Sequence, residues 1–366
     1  MTEIPQRVSL VSQLVKILRR NMRRGEWRDR LPGERSLCKR FRVSRDTLRS
    51  ALEALQSAGL VESSQGRRRK ITSKGRRTSA STNPKTVALL SSLPQHLLSS
   101  FSLFLIGELQ RRFHEAGYRF ELHAHPRFAS RRPAGALEEI TGQTRADCWL
   151  LMPGLPRVEE WFFKNQVRTV IIGSSQSGLS FPCLGVDCQA ICRHAVGMFF
   201  SKGHSRVALI LPGSVALEFD PFQKGFLEGF SLMKRGSCDR QPHILPHDGT
   251  VEGIRKALRS LFRSQKRPTG LLVVRPPHVL TVMSHLMDAG IHLPRDVSLI
   301  CSGYDPVLDN LTPSVACYSI NWTTFAGKLF RMARKMCDTG FCRPGQVFMM
   351  ADFRDGRTLA HRFHQR

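Results

Sequence analysis

Acidic side chains are scarce in this chain: 29 Asp and Glu stand against 56 Lys and Arg, a net charge of +27 with histidine neutral. A field of that sign excludes a cationic partner and favours a polyanion, either nucleic acid or an anionic membrane face. Long apolar runs are also missing. The longest candidate, Leu97 to Gly107, is broken by serines and falls short of the ~18 residues of a membrane-spanning helix. Met1 to Pro5 lacks the charged-then-apolar layout of a secretory leader. The membrane reading therefore loses to nucleic acid. The ten cysteines lack the short regular spacing of a disulfide framework. Cys148, Cys301 and Cys317 sit inside apolar runs, where a reduced thiol packs as a small hydrophobe, and a cytoplasmic protein is expected.

Catalytic signatures are missing too. There is no Gly-x4-Gly-Lys-Ser/Thr phosphate loop, no Gly-x-Ser-x-Gly elbow and no His-Glu-x-x-His pair. His123 and His125 share one strand face and could touch a metal, but such a pair is more often structural. Cys183, Cys188 and Cys192 fit no zinc template. The chain is read as a non-enzyme, with no cofactor, metal or catalytic residue assigned.

What the chain does have is length and an uneven charge. Its 366 residues, 41% of them hydrophobic, suit two or three compact units. Residues 1–85 hold 22 Lys and Arg against 7 Asp and Glu, a local +15, and the other 281 residues share the remaining +12. This is a nucleic-acid-binding head on a milder body.

In the head, Val8, Val11, Leu14, Val15, Leu18 and Met22 recur at three- and four-residue spacing, an amphipathic helix from about Val8 to Arg24 ended by Gly25. Trp27 covers the core edge. Pro32 suits the first turn of a second helix, with Glu34 beside its positive end and Leu37 and Phe41 facing inward. Ser44 is a good N-cap for a third helix, about Arg45 to Ala58, closed by Gly59. Its apolar face is Leu48, Ala51, Leu52 and Leu55, and its start offers Arg45, Asp46, Arg49 and Ser50 on the other side. A helix whose first turn carries arginine suits the major groove, because the guanidinium fork can bond guanine O6 and N7 together. Leu60 to Glu62, a turn at Gln65-Gly66 and the basic return Arg67 to Ile71 then read as a two-stranded wing.

The run Leu31-Pro32-Gly33-Glu34-Arg35, followed by Val43-Ser44-Arg45-Asp46-Thr47-Leu48-Arg49-Ser50-Ala51-Leu52 and Gly59-Leu60-Val61, closely resembles the winged helix-turn-helix head of the gluconate-repressor (GntR) family. The resemblance covers about Val8 to Thr72. It implies DNA contacts from Arg35, Ser44, Arg45, Thr47, Arg49 and the wing at Gly66, Arg67 and Arg68. Two positions depart from the pattern. Arg42 stands where the family usually has Gly or another small turn residue, and Arg67 to Lys70 replace the usual Gly-Arg-Gly-Thr, which should raise phosphate affinity.

Residues 73–85 are basic, rich in Ser and Thr and nearly free of apolar side chains, as in a flexible tether between a head at 1–72 and a body at 86–366. From Thr86 short apolar strands alternate with helices. The strand runs include Val87 to Leu90, Tyr118 to Ala124, Asp147 to Met152, Thr169 to Ile172, Arg206 to Leu211, Gly270 to Val274 and Val297 to Ile300. That alternation argues an α/β body with doubly wound, mostly parallel sheets, and its length argues two lobes. Ligands of such folds bind beyond the C-terminal strand ends, which nominates Ser92, His125, Ser174, Asp187, Arg275 and Asp305 as cleft residues, with His123 and Ser175 nearby.

The body also resembles the regulatory domain of the lactose-repressor (LacI) family. The resemblance rests on Gly185-Val186-Asp187, Phe200 to Ile210, Gly225-Phe226, Arg267 to Gly270, Asp288 to Ser298, Gly303-Tyr304-Asp305, Leu311-Thr312-Pro313 and Arg354 to Thr358. It implies a periplasmic-binding-protein-like body whose chain crosses between lobes near Asp187, Ile320 and Gln346. Lobe 1 is then about 86–187 with 321–345, and lobe 2 about 188–320 with 346–366. It also implies a homodimer and a small-molecule effector, mostly a sugar or other metabolite in that family. Phe222, nominated as a seventh cleft residue, replaces an arginine that usually reaches the ligand, and Arg275-Pro276-Pro277 replace a usual Asn-Asp. Asp305 keeps the place of a common hydroxyl-binding aspartate. The function expected is a DNA-binding transcriptional regulator, by family habit a repressor, on a double-stranded operator with inverted half-sites. The alternative is an orphan or architectural DNA-binding protein whose body only dimerises.

Overall fold

The computed structural model describes residues 10–23, 26–27, 29–64, 67–72, 84–152, 155–213, 220–232 and 241–362. They form two units, 1–83 and 84–366, each described by itself.

The first unit has three helices, α1 (Leu10–Arg23), α2 (Glu34–Phe41) and α3 (Arg45–Ser57), and a two-stranded antiparallel wing of β1 (Val61–Ser64) and β2 (Arg67–Ile71). Leu14, Leu18 and Met22 of α1 meet Leu37 of α2, Leu48, Leu52 and Leu55 of α3, and Val61 and Ile71 of the wing in one buried core. Each such side chain contributes about 1.5–3 kcal/mol on leaving water. The free edge of β2 is also paired, since Leu31 N donates to Arg69 O (3.0 Å) and Ile71 N to Asp29 O (2.9 Å). Pro32 precedes α2 instead of opening it, and Gly33 is the cap residue. Gly25, expected to end α1, lies outside the described residues.

The α2–α3 turn explains the family preference that Arg42 breaks. Arg42 is left-handed, at φ 52° and ψ 46°, where its Cβ crowds the backbone. Arg42→Gly should therefore stabilise the head by about 0.5–1 kcal/mol, after the greater freedom glycine adds to the unfolded chain. Calorimetry of the full chain should show the head's transition moved up, and an unchanged or lower midpoint would refute the strain.

The second unit opens with β3 (Thr86–Ser91), α4 (Ser100–Glu115), β4 (Arg119–Ala124), α5 (Ala134–Thr144), β5 (Cys148–Leu151), α6 (Pro156–Lys164), β6 (Thr169–Ile172) and β7 (Pro182–Val186). It continues with α7 (Cys188–Ser201), β8 (Arg206–Pro212), α8 (Pro221–Leu232), β9 (Gln241–His247), α9 (Val251–Arg263), β10 (Gly270–Val273), α10 (Pro276–Asp288), β11 (Ser298–Cys301) and β12 (Ala316–Ser319). It closes with α11 (Trp322–Thr339), β13 (Gly345–Met349) and β14 (Asp352–Arg354). One six-stranded sheet runs β13-β7-β6-β5-β3-β4 with every pairing parallel. The other runs β14-β12-β11-β10-β8-β9, parallel except for β14. Apolar clusters cover both faces of both sheets, which is why the central strands read as unbroken apolar runs.

The chain passes between lobes after Val186, after Ser319 and after Met349. The third passage differs from the expected Gln346, because Gln346 pairs with Cys183 in parallel register and so belongs to the first lobe's sheet. Asp187 N donates to Met349 O (3.1 Å), tying the first passage to the third. Pro84 and Lys85, expected in the tether, belong to the body. Lys85 O accepts from Arg119 N (2.9 Å), and its Nζ donates to Cys337 O (3.0 Å) and Asp338 (2.9 Å). Among the described residues no helix is long and apolar enough to cross a membrane.

Candidate DNA-binding face and ligand cleft

The start of α3 is built around Ser44. Its Oγ accepts from Thr47 N (3.1 Å) and pairs with Thr47 Oγ1 (2.8 Å), so the cap fixes the first turn. The cap leaves Arg45 and Arg49 exposed on one side and Leu48 fully buried on the other. Arg35 is exposed on α2. Arg49 lies 3.5 Å from Glu34, a surface pair that a phosphate or a base edge can replace at little cost. Glu34 also faces Arg69 of the wing at 3.6 Å, and Arg69 donates to Gln56 of α3 (3.1 Å). The wing is thus held to the helix it follows. Gly66 lies outside the described residues, and Arg67 and Arg68 are described only as backbone of β2.

A cavity of about 210 Å3 lies in the body at the C-terminal strand ends between the two lobes. Two of the nominated cleft residues line it, Phe222 and Asp305. The other five do not. His125 Nδ1 accepts from Arg127 N (3.1 Å), capping a short turn at Pro126–Ala129. Asp187 Oδ1 accepts from Ala190 N (2.8 Å) and caps α7. Arg275 is exposed at the start of α10, where its neighbours Pro276 and Pro277 line the cavity instead. Ser92 and Ser174 are half-buried outside the lining. His123 is equally occupied, with Nε2 3.1 Å from Thr144 Oγ1 and burial lowering its pKa.

The loop after β6 turns away around a buried carboxylate. Glu159, 2% exposed, accepts from the hydroxyls of Ser175 and Ser177 (2.8 Å each) and from the backbone N of Gln176 (2.9 Å) and Ser177 (3.0 Å). Each donor left unpaired in a buried site costs about 1–3 kcal/mol. Glu159→Ala should therefore lower the body's stability by about 3 kcal/mol, read from urea unfolding. A loss under about 1 kcal/mol would mean that water replaces the carboxylate.

The positional rule missed most of the lining. Phe101 opens α4, Trp322 opens α11, and their rings stand 4.2 Å apart. Ile191 of α7 and Tyr318 of β12 complete the opposite wall. Trp322 immediately follows the second passage between lobes, a signal open to any reading that places β12. The described cysteines are free thiols. Burial pushes Cys183 up to about 11 and Cys188, which lines the cavity, up to about 12. No group of three His, Cys, Asp or Glu among the described residues is placed to hold a metal.

Two family models match the chain. Residues 10–71 match bacterial regulatory proteins of the gntR family, and residues 196–358 match a periplasmic binding protein-like domain. A curated relative, catabolite control protein A of Priestia megaterium, is 24% identical over 144 residues, covering 39% of this chain and 42% of its own. The chain thus spans under half the length of that relative. Among solved structures, a putative LacI transcriptional regulator from Bacillus cereus subsp. cytotoxis superposes with TM-score 0.67 at 17% identity, over 77% of this chain and all of that one. A CelR regulator in complex with cellobiose gives TM-score 0.64 at 16% identity, over 86% and 91%. A LacI family regulator from Enterococcus faecium with bound ribose gives 0.63 at 14%, over 76% and 100%. At such identities the likeness shows the fold. The chain thus joins a head matching the gntR model to a body matching the periplasmic binding protein-like model.

Proposed function

We propose that this protein is a sequence-specific DNA-binding transcriptional regulator, not an enzyme, and that a small molecule in the cleft between its lobes controls it. The observation that carries the reading is the capped start of α3, which presents Arg45 and Arg49 outward beside an ordered wing in a head matching the gntR model. Arginines on a fixed first turn can reach base edges, and the basic wing meets phosphates.

The working form is a homodimer. Leu93, Leu97, Leu103 and Phe104 are all exposed around the start of α4, and Leu97 and Phe104 reach 59%. A cluster of that size on a soluble lobe marks an interface, and a second copy covers it. Two-fold symmetry then demands an inverted repeat in the operator. The cleft of the body is the effector site. The relatives solved with cellobiose and with ribose support a metabolite ligand, and the passages between lobes at Asp187, Ile320 and Met350 are the hinges. A ligand that favours the closed arrangement shifts the dimer's affinity for DNA by the difference in its own affinity for the two arrangements. Repression follows if the bound dimer occludes a promoter, and the DNA partner places the protein in the cytoplasm.

The test is selection from random duplex DNA by the full chain at ~0.15 M salt with non-specific competitor. An enriched inverted repeat supports the reading. Tight, salt-sensitive binding without enrichment overturns it in favour of an architectural protein whose body only dimerises.

A further inference from the structure

The described lining of the cavity between the lobes has ring-binding walls and few free polar groups. Aromatic side chains reach it from both lobes: Phe101 and Trp322 from the first, Phe222, Tyr304 and Tyr318 from the second. Pro276, Pro277 and Ile191 fill the gaps.

The side-chain hydroxyls of the described lining are occupied by the protein itself. Ser302 Oγ donates to Val274 O (2.8 Å). Tyr318 Oη pairs with His194 Nδ1 (2.7 Å). Ser99 Oγ accepts from Ser102 N (3.2 Å) to cap α4. Tyr304 Oη donates to Asp309, and the Arg354 guanidinium lies 4.4 Å from the Tyr304 ring centre. Asp305 differs. Its Oδ1 accepts from Val307 N (3.0 Å), and its second oxygen has no partner among the described residues. Besides Asp305 the described lining offers the Trp322 indole N–H, and no Lys, Arg, Asn or Gln belongs to it.

A sugar presents a ring of hydroxyls, each needing a partner once water is removed. One carboxylate cannot serve them, and each hydroxyl left unpaired costs about tenfold in affinity. A flat apolar ring has no such demand and gains from stacked and edge contacts with the aromatic walls. Resting on the reading of this cleft as the effector site, we propose that its ligand is a monocyclic aromatic compound carrying one hydroxyl or amino donor, its ring between Phe222 and the Phe101–Trp322 pair and its donor on Asp305. A volume of about 210 Å3 is room enough for one ring.

The experiment titrates the full chain with benzyl alcohol, benzylamine, ribose, glucose and cellobiose, read by Trp322 fluorescence and by the melting midpoint. A Trp322→Phe variant controls for the other indoles. Both aromatic probes are expected to saturate one site, and the sugars are not. Asp305→Asn keeps an oxygen for Val307 N and should weaken benzylamine about tenfold or more, because the carboxylate's charge is gone. Phe222→Ala should weaken both aromatic probes alike. Saturable sugar binding that Phe222→Ala abolishes overturns the proposal, as does failure of both aromatic probes to bind. Aromatic binding unaffected by either variant also overturns it. The DNA selection is independent: if the aromatic probes bind but no sequence is enriched, the regulatory reading falls and this one stands.

Discussion

Arg45→Ala and Arg49→Ala each lower affinity for the selected operator by about 1–3 kcal/mol while changing affinity for random duplex much less. The expectation follows from three features of α3. The Ser44 cap holds the first turn, so an arginine there loses little freedom on docking. Leu48 is fully buried between the two arginines, so the helix cannot roll to hide them without exposing its core contact. Arg49's neighbour Glu34 is 3.5 Å away and both side chains are largely exposed, a pairing too weak to compete with a bidentate guanine contact. The wing supplies the contrast. Neutralising Arg67 to Lys70 together should flatten the dependence of log K on log salt by about 3–4, because each phosphate contact contributes roughly 0.9. Sequence preference should survive that change. Electrophoretic or anisotropy titrations on operator and scrambled duplex, at several salt concentrations, separate the two. Equal losses on both duplexes for the α3 variants would reduce Arg45 and Arg49 to phosphate contacts and move specificity elsewhere.

The head was legible because its signals are local. The Leu14, Leu18 and Met22 spacing, Ser44 as a cap and Gly59 at φ 65° each follow from residues a few positions apart. The interior strands β7 and β12 of the body were passed over, whereas six central strands, β3, β5, β6, β8, β10 and β11, were legible because burial on both faces makes them continuous apolar runs. The edges were not. β9 contains Pro242 and Pro246 and exposes three of its seven residues, which an edge strand tolerates and an apolar-run criterion passes over. β13 is exposed over four of its five residues, so the third passage between lobes was set too early, at Gln346. The cleft was the least legible part. Phe101, Phe222, Asp305 and Trp322 come from four segments far apart in sequence. Whether a polar residue near a strand end faces a ligand depends on the backbone donor it caps, as Asp187 and His125 do. Glu159 carried no signal of its own, because its partners are serine hydroxyls and backbone N–H groups of a loop sixteen or more residues away.

Gly225→Ala destabilises the body by about 2–3 kcal/mol, against the usual effect of that change in a helix. In an exposed helix interior, alanine gains roughly 0.5–1 kcal/mol over glycine from backbone entropy. Here α8 crosses the start of α7 with Gly225 at the closest point. A Cβ on Gly225 would lie 2.7 Å from the Cα and carbonyl carbon of Gln189 and closer still to its carbonyl oxygen. Those atoms are backbone of α7's first turn, whose end Asp187 caps at the first passage between lobes, so they cannot swing aside as a side chain would. The helices must part, and overpacking of that kind costs about 1–3 kcal/mol and occasionally more. Gly229, one turn on, meets the Val196 side chain at 2.7 Å. A rotamer change can relieve part of that overlap, so Gly229→Ala should cost less. Urea unfolding and calorimetry of the full chain read both, with a drop of about 4–12 °C expected for Gly225→Ala at roughly 2–4 °C per kcal/mol. A stability equal to or above the parent's would show that α8 shifts freely. The same variant tests how packing sets the cleft, because Phe222 lies three residues before Gly225 on α8 and its ring reaches the cavity only while the two helices stay in contact.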